Sequence, residues 1–172
     1  MRHTVVSTIP KEDSEAQAVL RGFIDALPDT QIIHTAGMDI HGCQGCYDCW
    51  LKTPGICSIQ DDYQQVFMEI LQSDRLILAS RSRFGFITYQ TKNLLDRILP
   101  IFTMHLKVTG RQMRHYLRYQ KRIDIGLLID SGADLVFLDT WLKRVATNLD
   151  AQSLGVYRLT DRLEMIDALG HH

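Results

Sequence analysis

Four cysteines carry the densest chemistry in this 172-residue chain. Cys43, Cys46, Cys49 and Cys57 are the only ones, and they fall within fifteen residues at spacings C-x2-C-x2-C-x7-C. Disulfides that staple a fold join distant segments, which these four cannot do. A compact thiolate set can instead wrap one metal centre. Structural zinc usually takes two cysteine knuckles from separated segments, often with histidine. Three cysteines at consecutive x2 spacing follow the run used for 4Fe–4S clusters. Pro54 and Gly55 supply a turn that brings Cys57 back toward the other three. Three readings stand on the residues alone: an iron–sulfur cluster, a zinc ion, or a metal-free set of redox or structural thiols.

The elements that position this loop follow from hydrophobic periodicity. Residues Thr4 to Ile9 read as a β-branched strand, and Ser14 with Gln17 matches a capping box at a helix start. Ala16, Val19, Leu20, Phe23, Ile24 and Leu27 continue that helix to Pro28-Asp29, and Gln31 to Thr35 form a second strand. Beyond the cysteines, Asp62 with Gln65 caps a helix carrying Tyr63, Val66, Phe67, Ile70 and Leu71. The run Leu76–Ala79 is a strand covered on both faces. Ser80 to Thr88 reads as a loop, and a helix through Leu94, Leu95 and Ile98 ends at Pro100. A strand at Ile123–Ile129, a tight loop at Asp130–Ala133, a helix from Leu135 to Leu149 and a strand at Leu154–Leu159 follow, with Leu163, Ile166 and Leu169 on a short tail.

Alternating strands and helices predict an α/β protein: a doubly wound, five-stranded parallel sheet with helices on both faces. In the flavodoxin-like order 2-1-3-4-5 the ligand lies at the carboxyl ends of the strands, and the cysteine loop sits beside the loop after strand one. The expected organisation is a single domain over residues 1–172, with a cysteine-rich loop at 42–58 and a basic connection at 101–122.

Other residues at those strand ends suit a mononucleotide. Ser7, Thr8, Lys11 and Ser14 could meet a phosphate at the first helix start, where Glu12 and Asp13 would repel it. Ser80, Arg83, Phe84 and Gly85 lie after strand three, where a glycine lets backbone N–H groups approach a planar ring. Ser131 and Gly132 occupy the corresponding loop after strand four. Lys92 and Asp96 read as an i,i+4 pair, and Arg97 as a surface or interface charge. Lys107, Arg111, Arg114, Arg118, Lys121 and Arg122 leave the 101–122 connection without an acidic residue. Such a run suits a solvated face, the phosphates of a pyridine nucleotide, or a partner subunit.

A formal net charge of −1, with 45% hydrophobic and 23% charged residues, gives no basic excess that would point to nucleic acid or an anionic membrane. No apolar run approaches the roughly 20 residues of a membrane span. The first residues lack a signal-peptide core, so a cytoplasmic location is expected. His171-His172 read as the start of an expression tag.

The stretch Gly42-Cys43-x2-Cys46-x2-Cys49-Trp50-x-Lys52-Thr53-Pro54-Gly55-x-Cys57, followed by Asp61-Asp62, resembles the NAD(P)H-dependent FMN reductase-like flavodoxin superfamily, and within it the iron–sulfur flavoprotein branch. Phe84-Gly85, the segment Thr91 to Arg97 and Pro100 resemble that family's region after strand three. The resemblance implies FMN as cofactor, NAD(P)H as electron donor and a 4Fe–4S cluster ligated by Cys43, Cys46, Cys49 and Cys57. It also implies a homodimer or homotetramer serving a small-molecule or protein electron partner. Two alternatives accompany it: a cluster-free NAD(P)H:FMN or quinone reductase, and a binding or redox-sensor protein whose flavodoxin scaffold has a degraded FMN site.

Overall fold

The computed structural model describes residues 1–170, so His171-His172 lie outside the described residues. Its main sheet contains β1 (His3–Ser7), β2 (Thr30–His34), β3 (Arg75–Ser80), β4 (Asp124–Ile129) and β5 (Ser153–Arg158). All neighbours are parallel and the spatial order is β2-β1-β3-β4-β5, the expected flavodoxin-like topology. The main helices are α1 (Ser14–Ala26), α2 (Tyr63–Gln72), α3 (Tyr89–Asp96), α4 (Leu135–Asn148) and α5 (Arg162–Gly170). Among the described residues, no helix is long and apolar enough to cross a membrane.

The sheet divides two cores, because successive strand side chains point to opposite faces. Val6, Leu76, Leu78, Ile125, Leu127 and Ile129 pack with residues of α2, α3 and α4. Val5, Ile77, Ala79 and Leu128 pack with α1 and α5 on the other side. The apolar run of β3 is thus buried on both faces, as its composition requires. Gly126 leaves room for Met165 of α5, whose terminal methyl would collide with any Cβ there. At the start of α4, the Asp134 carboxylate accepts the Phe137 N–H at 3.0 Å. Replacing Asp134 by Ala removes that cap and is expected to cost about 1 kcal/mol in urea unfolding.

Several local expectations change. The α1 cap is Asp13, whose carboxylate accepts the Ala16 N–H at 3.1 Å; Ser14 already lies within the helix. Gln17 instead turns back to Pro10 O at 3.1 Å. Asp62 makes no side-chain cap to α2, because its carboxylate accepts the Asp39 N–H at 2.8 Å. Residues 80–88 are not a plain loop: Ser82–Arg83 pairs antiparallel with Phe86–Ile87. The tail is the helix α5, whose Met165 and Leu169 are buried.

The basic connection is an antiparallel hairpin of Phe102–Thr109 and Gln112–Leu117. Most of its positive charge meets partners inside the chain. Lys107 and Arg114 lie 3.6 and 3.8 Å from Asp150, and Lys121 is 3.3 Å from Asp74. Arg118 donates to the carbonyls of Pro100 and Phe102 at 3.2 and 3.3 Å.

Candidate functional site

The loops at the carboxyl edge converge on one another, and the cysteine loop is the largest. At its neck the Asp61 carboxylate accepts N–H groups from His41 at 2.9 Å and Tyr63 at 3.1 Å. Asp39 and Asp62 close a second crossing, with Asp62 N–H donating to Asp39 O at 3.0 Å. Inside the loop a one-turn helix, Asp48–Leu51, begins after Tyr47 in the left-handed region. Gly55, at φ +89°, returns its N–H to Cys49 O at 3.0 Å and lies against Tyr119 and Arg118, where a Cβ would clash. Trp50 donates to Leu99 O at 2.9 Å, and its ring packs 4.8 Å from that of His115. The hairpin is therefore a buttress for the cysteine loop.

Cys43, Cys46, Cys49 and Cys57 all line one small cavity, shared with Gly45, Trp50 and Ile59. All four are free thiols; Cys43 and Cys46 are exposed, and Cys49 and Cys57 are half-buried. Burial pushes the Cys49 thiol up to about 11, and Cys57, Cys43 and Cys46 add to that rise. Four thiolates in this space require a positive charge among or beside them. Contact with Ser58 at 3.5 Å acts in the opposite direction on Cys46, lowering it. Among the described residues, no three His, Cys, Asp or Glu side chains are drawn into a ligating set.

Arg97 is not at the surface. It is 1% exposed and ion-paired to Asp61, whose side chain is also fully buried. The same guanidinium reaches His41 O at 3.2 Å, Ile59 O at 3.3 Å and Cys57 Sγ at 3.4 Å, and lies 4.5 Å over the Tyr63 ring. The expected surface charge is wrong because Asp61, 36 residues earlier, compensates the guanidinium inside the protein. The anticipated Lys92–Asp96 ion pair is present on α3.

On the mononucleotide side, Ser7 is fully buried and its hydroxyl accepts the Ile9 N–H at 3.2 Å. Thr8 meets the Thr91 hydroxyl at 2.7 Å, and Thr91 donates to Ser80 at 2.8 Å. This chain of hydroxyls joins the loops after β1 and β3; Thr91 was absent from the expected contacts. Lys11 and Ser14 are exposed at the entrance of α1. Phe84 is 97% exposed beside Arg83, with φ +53°, and Gly85 follows at φ +78°. Gly132 approaches Ser82 too closely for a Cβ, and its N–H donates to Asp130 at 3.2 Å. Ser131 lines a cavity of about 460 Å³ between α1 and the end of β5, with Arg81, Arg158 and Arg162.

The carboxylate at the start of α1 does not stand alone. Arg81 forms an ion pair with Asp13 and lies 3.8 Å from Asp130. That guanidinium, followed by the Ala16 N–H, holds the Asp13 carboxyl below its ordinary range. The Arg2 N–H and Lys121 do the same for Asp74. A carboxylate depressed in the folded state contributes stability above its unfolded pKa, which is lost as pH falls through the folded value. The melting temperature is therefore expected to drop below about pH 4. In Asp13→Asn/Asp74→Asn, calorimetry should show a smaller part of that drop.

Fold and loops together define a flavodoxin-like α/β protein with a four-cysteine loop at its ligand edge. No family model matches the chain. In sequence it is similar to an iron–sulfur flavoprotein of Methanocaldococcus jannaschii, at 30% identity over 112 residues, 61% of this chain and 57% of that protein. The match thus spans little more than half of the relative's length. In structure it is similar to the NAD(P)H:quinone oxidoreductase from Methanothermobacter marburgensis, with a TM-score of 0.66 and 12% identity over 100% of this chain and 98% of that one. An FMN-dependent NADH-azoreductase from Bacillus anthracis, in complex with FMN, aligns with a TM-score of 0.56 and 15% identity over 99% of both chains. These likenesses establish the flavodoxin-like fold and agree with the resemblance read from the cysteine stretch.

Proposed function

We propose that this protein is an FMN-dependent oxidoreductase, reduced by NAD(P)H, whose four cysteines carry a 4Fe–4S cluster. The observation that carries the reading is the shared cavity of Cys43, Cys46, Cys49 and Cys57 on the loop after β2, at the ligand edge of the sheet. Four thiol donors in one short loop are a suitable ligand set for a cluster, closing around it from their present positions. The sequence relative described as an iron–sulfur flavoprotein and the FMN complex on the same fold support the reading.

Thr8, Lys11 and Ser14 would hold the phosphate, with Ser7 and Ser80 fixing the neighbouring backbone. Arg83, Phe84 and Gly85 would flank the flavin ring, and Ser131 and Gly132 its far side. Flavin chemistry accepts a hydride and releases electrons singly, which suits a one-electron centre nearby. The chain's own part is to bind, orient and tune. It acts as one domain in a cytoplasmic homodimer or homotetramer, with a small molecule or protein as its electron partner.

Two observations favour other readings. Burial pushes the Cys49 thiol up to about 11, which favours a cluster-free reductase whose cysteines stay protonated thiols. Asp13 takes an α1 N–H and the Arg81 guanidinium, which favours a binding or sensor role without FMN. Anaerobic purification, a visible spectrum and assays of iron, sulfide and flavin separate the three. Flavin with stoichiometric iron and sulfide is expected. Flavin without iron leaves the cluster-free reductase, and a colourless protein that takes up neither FMN nor iron overturns both enzymatic readings.

A further inference from the structure

We propose that Arg97 is a positioning residue for the metal centre, presenting the Cys57 sulfur as a ligand and raising the centre's affinity for an electron. The inference rests on the cluster reading above and goes beyond it by naming what tunes the cluster. Among the described residues, Arg97 is the one cation hydrogen-bonded to a cysteine sulfur, with its Nη2 3.4 Å from Cys57 Sγ. Its Nη1 is held by Asp61 and by His41 O at 3.2 Å. Nη2 also reaches Ile59 O at 3.3 Å, so the guanidinium grips the chain before Cys43 and after Cys57.

Stability alone is a weak reason for this arrangement. Two buried charges lose their hydration, and well-packed apolar residues of similar volume often serve the fold as well or better. Apolar residues cannot present a fixed cation and an N–H group to a sulfur. Here the Arg97–Asp61 pair is a dipole with its positive end against Cys57 and its negative end toward the His41 and Tyr63 N–H groups. The plane of the guanidinium is set by its position over Tyr63, and the Tyr63 hydroxyl is anchored on Leu94 O at 3.0 Å. Reduction adds one negative charge to a cluster. A neighbouring positive charge and N–H···S hydrogen bonds stabilise the reduced form, and such bonds are a recognised control of cluster potential.

The test uses the whole chain, reconstituted without air with ferrous iron and sulfide, and titrated with dithionite as the one-electron reductant. Electron paramagnetic resonance reports the midpoint. Arg97→Lys keeps a charge for Asp61 but has no second arm for Cys57. It is expected to bind iron and sulfide as the wild type does, with reduction weakened about tenfold, or about 59 mV for one electron. Asp61→Asn leaves the cation without its counter-charge and should shift the midpoint in the opposite direction. A purely structural role would not give opposite signs. If Asp61→Asn does not purify, Arg97→Lys carries the test, with circular dichroism to show that it is folded. A folded Arg97→Lys that loads no cluster where the wild type does would overturn the tuning role, leaving Arg97 a structural residue of the loop neck. A wild-type midpoint in Arg97→Lys would overturn it and leave the cluster reading intact. A wild-type chain that takes up no iron would remove both.

Discussion

Asp61→Asn is expected to cost about 3 to 5 kcal/mol of folding stability, measured by urea unfolding of the metal-free protein. The substitution changes little in volume but leaves Arg97, at 1% exposure, as an uncompensated buried cation. It also weakens the acceptor for two N–H groups, those of His41 and Tyr63, which close the neck of the cysteine loop. Burial by itself would raise the Asp61 pKa; the Arg97 guanidinium and those two N–H groups outweigh it and hold the carboxyl low. The double variant Asp61→Leu/Arg97→Met removes both charges together and should recover most of the loss, because no unpaired charge remains. If Asp61→Asn unfolds within about 1 kcal/mol of the wild type, the pair does not carry the neck.

The second large effect concerns the flavin. Asp13→Asn is expected to tighten FMN binding roughly tenfold to a hundredfold, about 1.4 to 2.8 kcal/mol. Asp13 takes the Ala16 N–H and pairs with Arg81, the two kinds of donor that a phosphate uses at a helix start. A dianionic phosphate bound there would have to compete with that carboxylate, and Asn leaves Arg81 with its longer contact to Asp130, 3.8 Å, and able to meet the ligand. Quenching of flavin fluorescence during titration measures the affinity directly, without turnover. Arg81→Ala in the Asp13→Asn background should reverse most of the gain. Equal affinity in wild type and Asp13→Asn would show that Asp13 and the phosphate do not compete.

These two effects also mark where local sequence stops being informative. The sheet order was legible because each strand is a short apolar or β-branched run separated by a helix-periodic segment. Parallel connections then leave few topologies, since crossovers are right-handed and cover both faces. The cysteine loop could be placed for the same reason: it follows β2, at the carboxyl edge. The hairpin at 102–117 was less legible. Met104, Leu106, Val108 and Met113 are exposed, so no buried alternation marked its strands, and its charges meet Asp150 from a distant segment. Even the α1 cap differed by one residue, because Asp13 and Ser14 are both good cap residues and Arg81 selects between their roles.

By itself the sequence determined the alternating α/β pattern and the ligand capacity of Cys43, Cys46, Cys49 and Cys57, both of which depend on spacing along the chain. Only the tertiary structure decided that Arg97 is an interior cation and that Asp13 is paired. Charge is a property of a residue, whereas desolvation and compensation belong to its neighbours. Those neighbours, Asp61 and Arg81, lie 36 and 68 positions away in the chain.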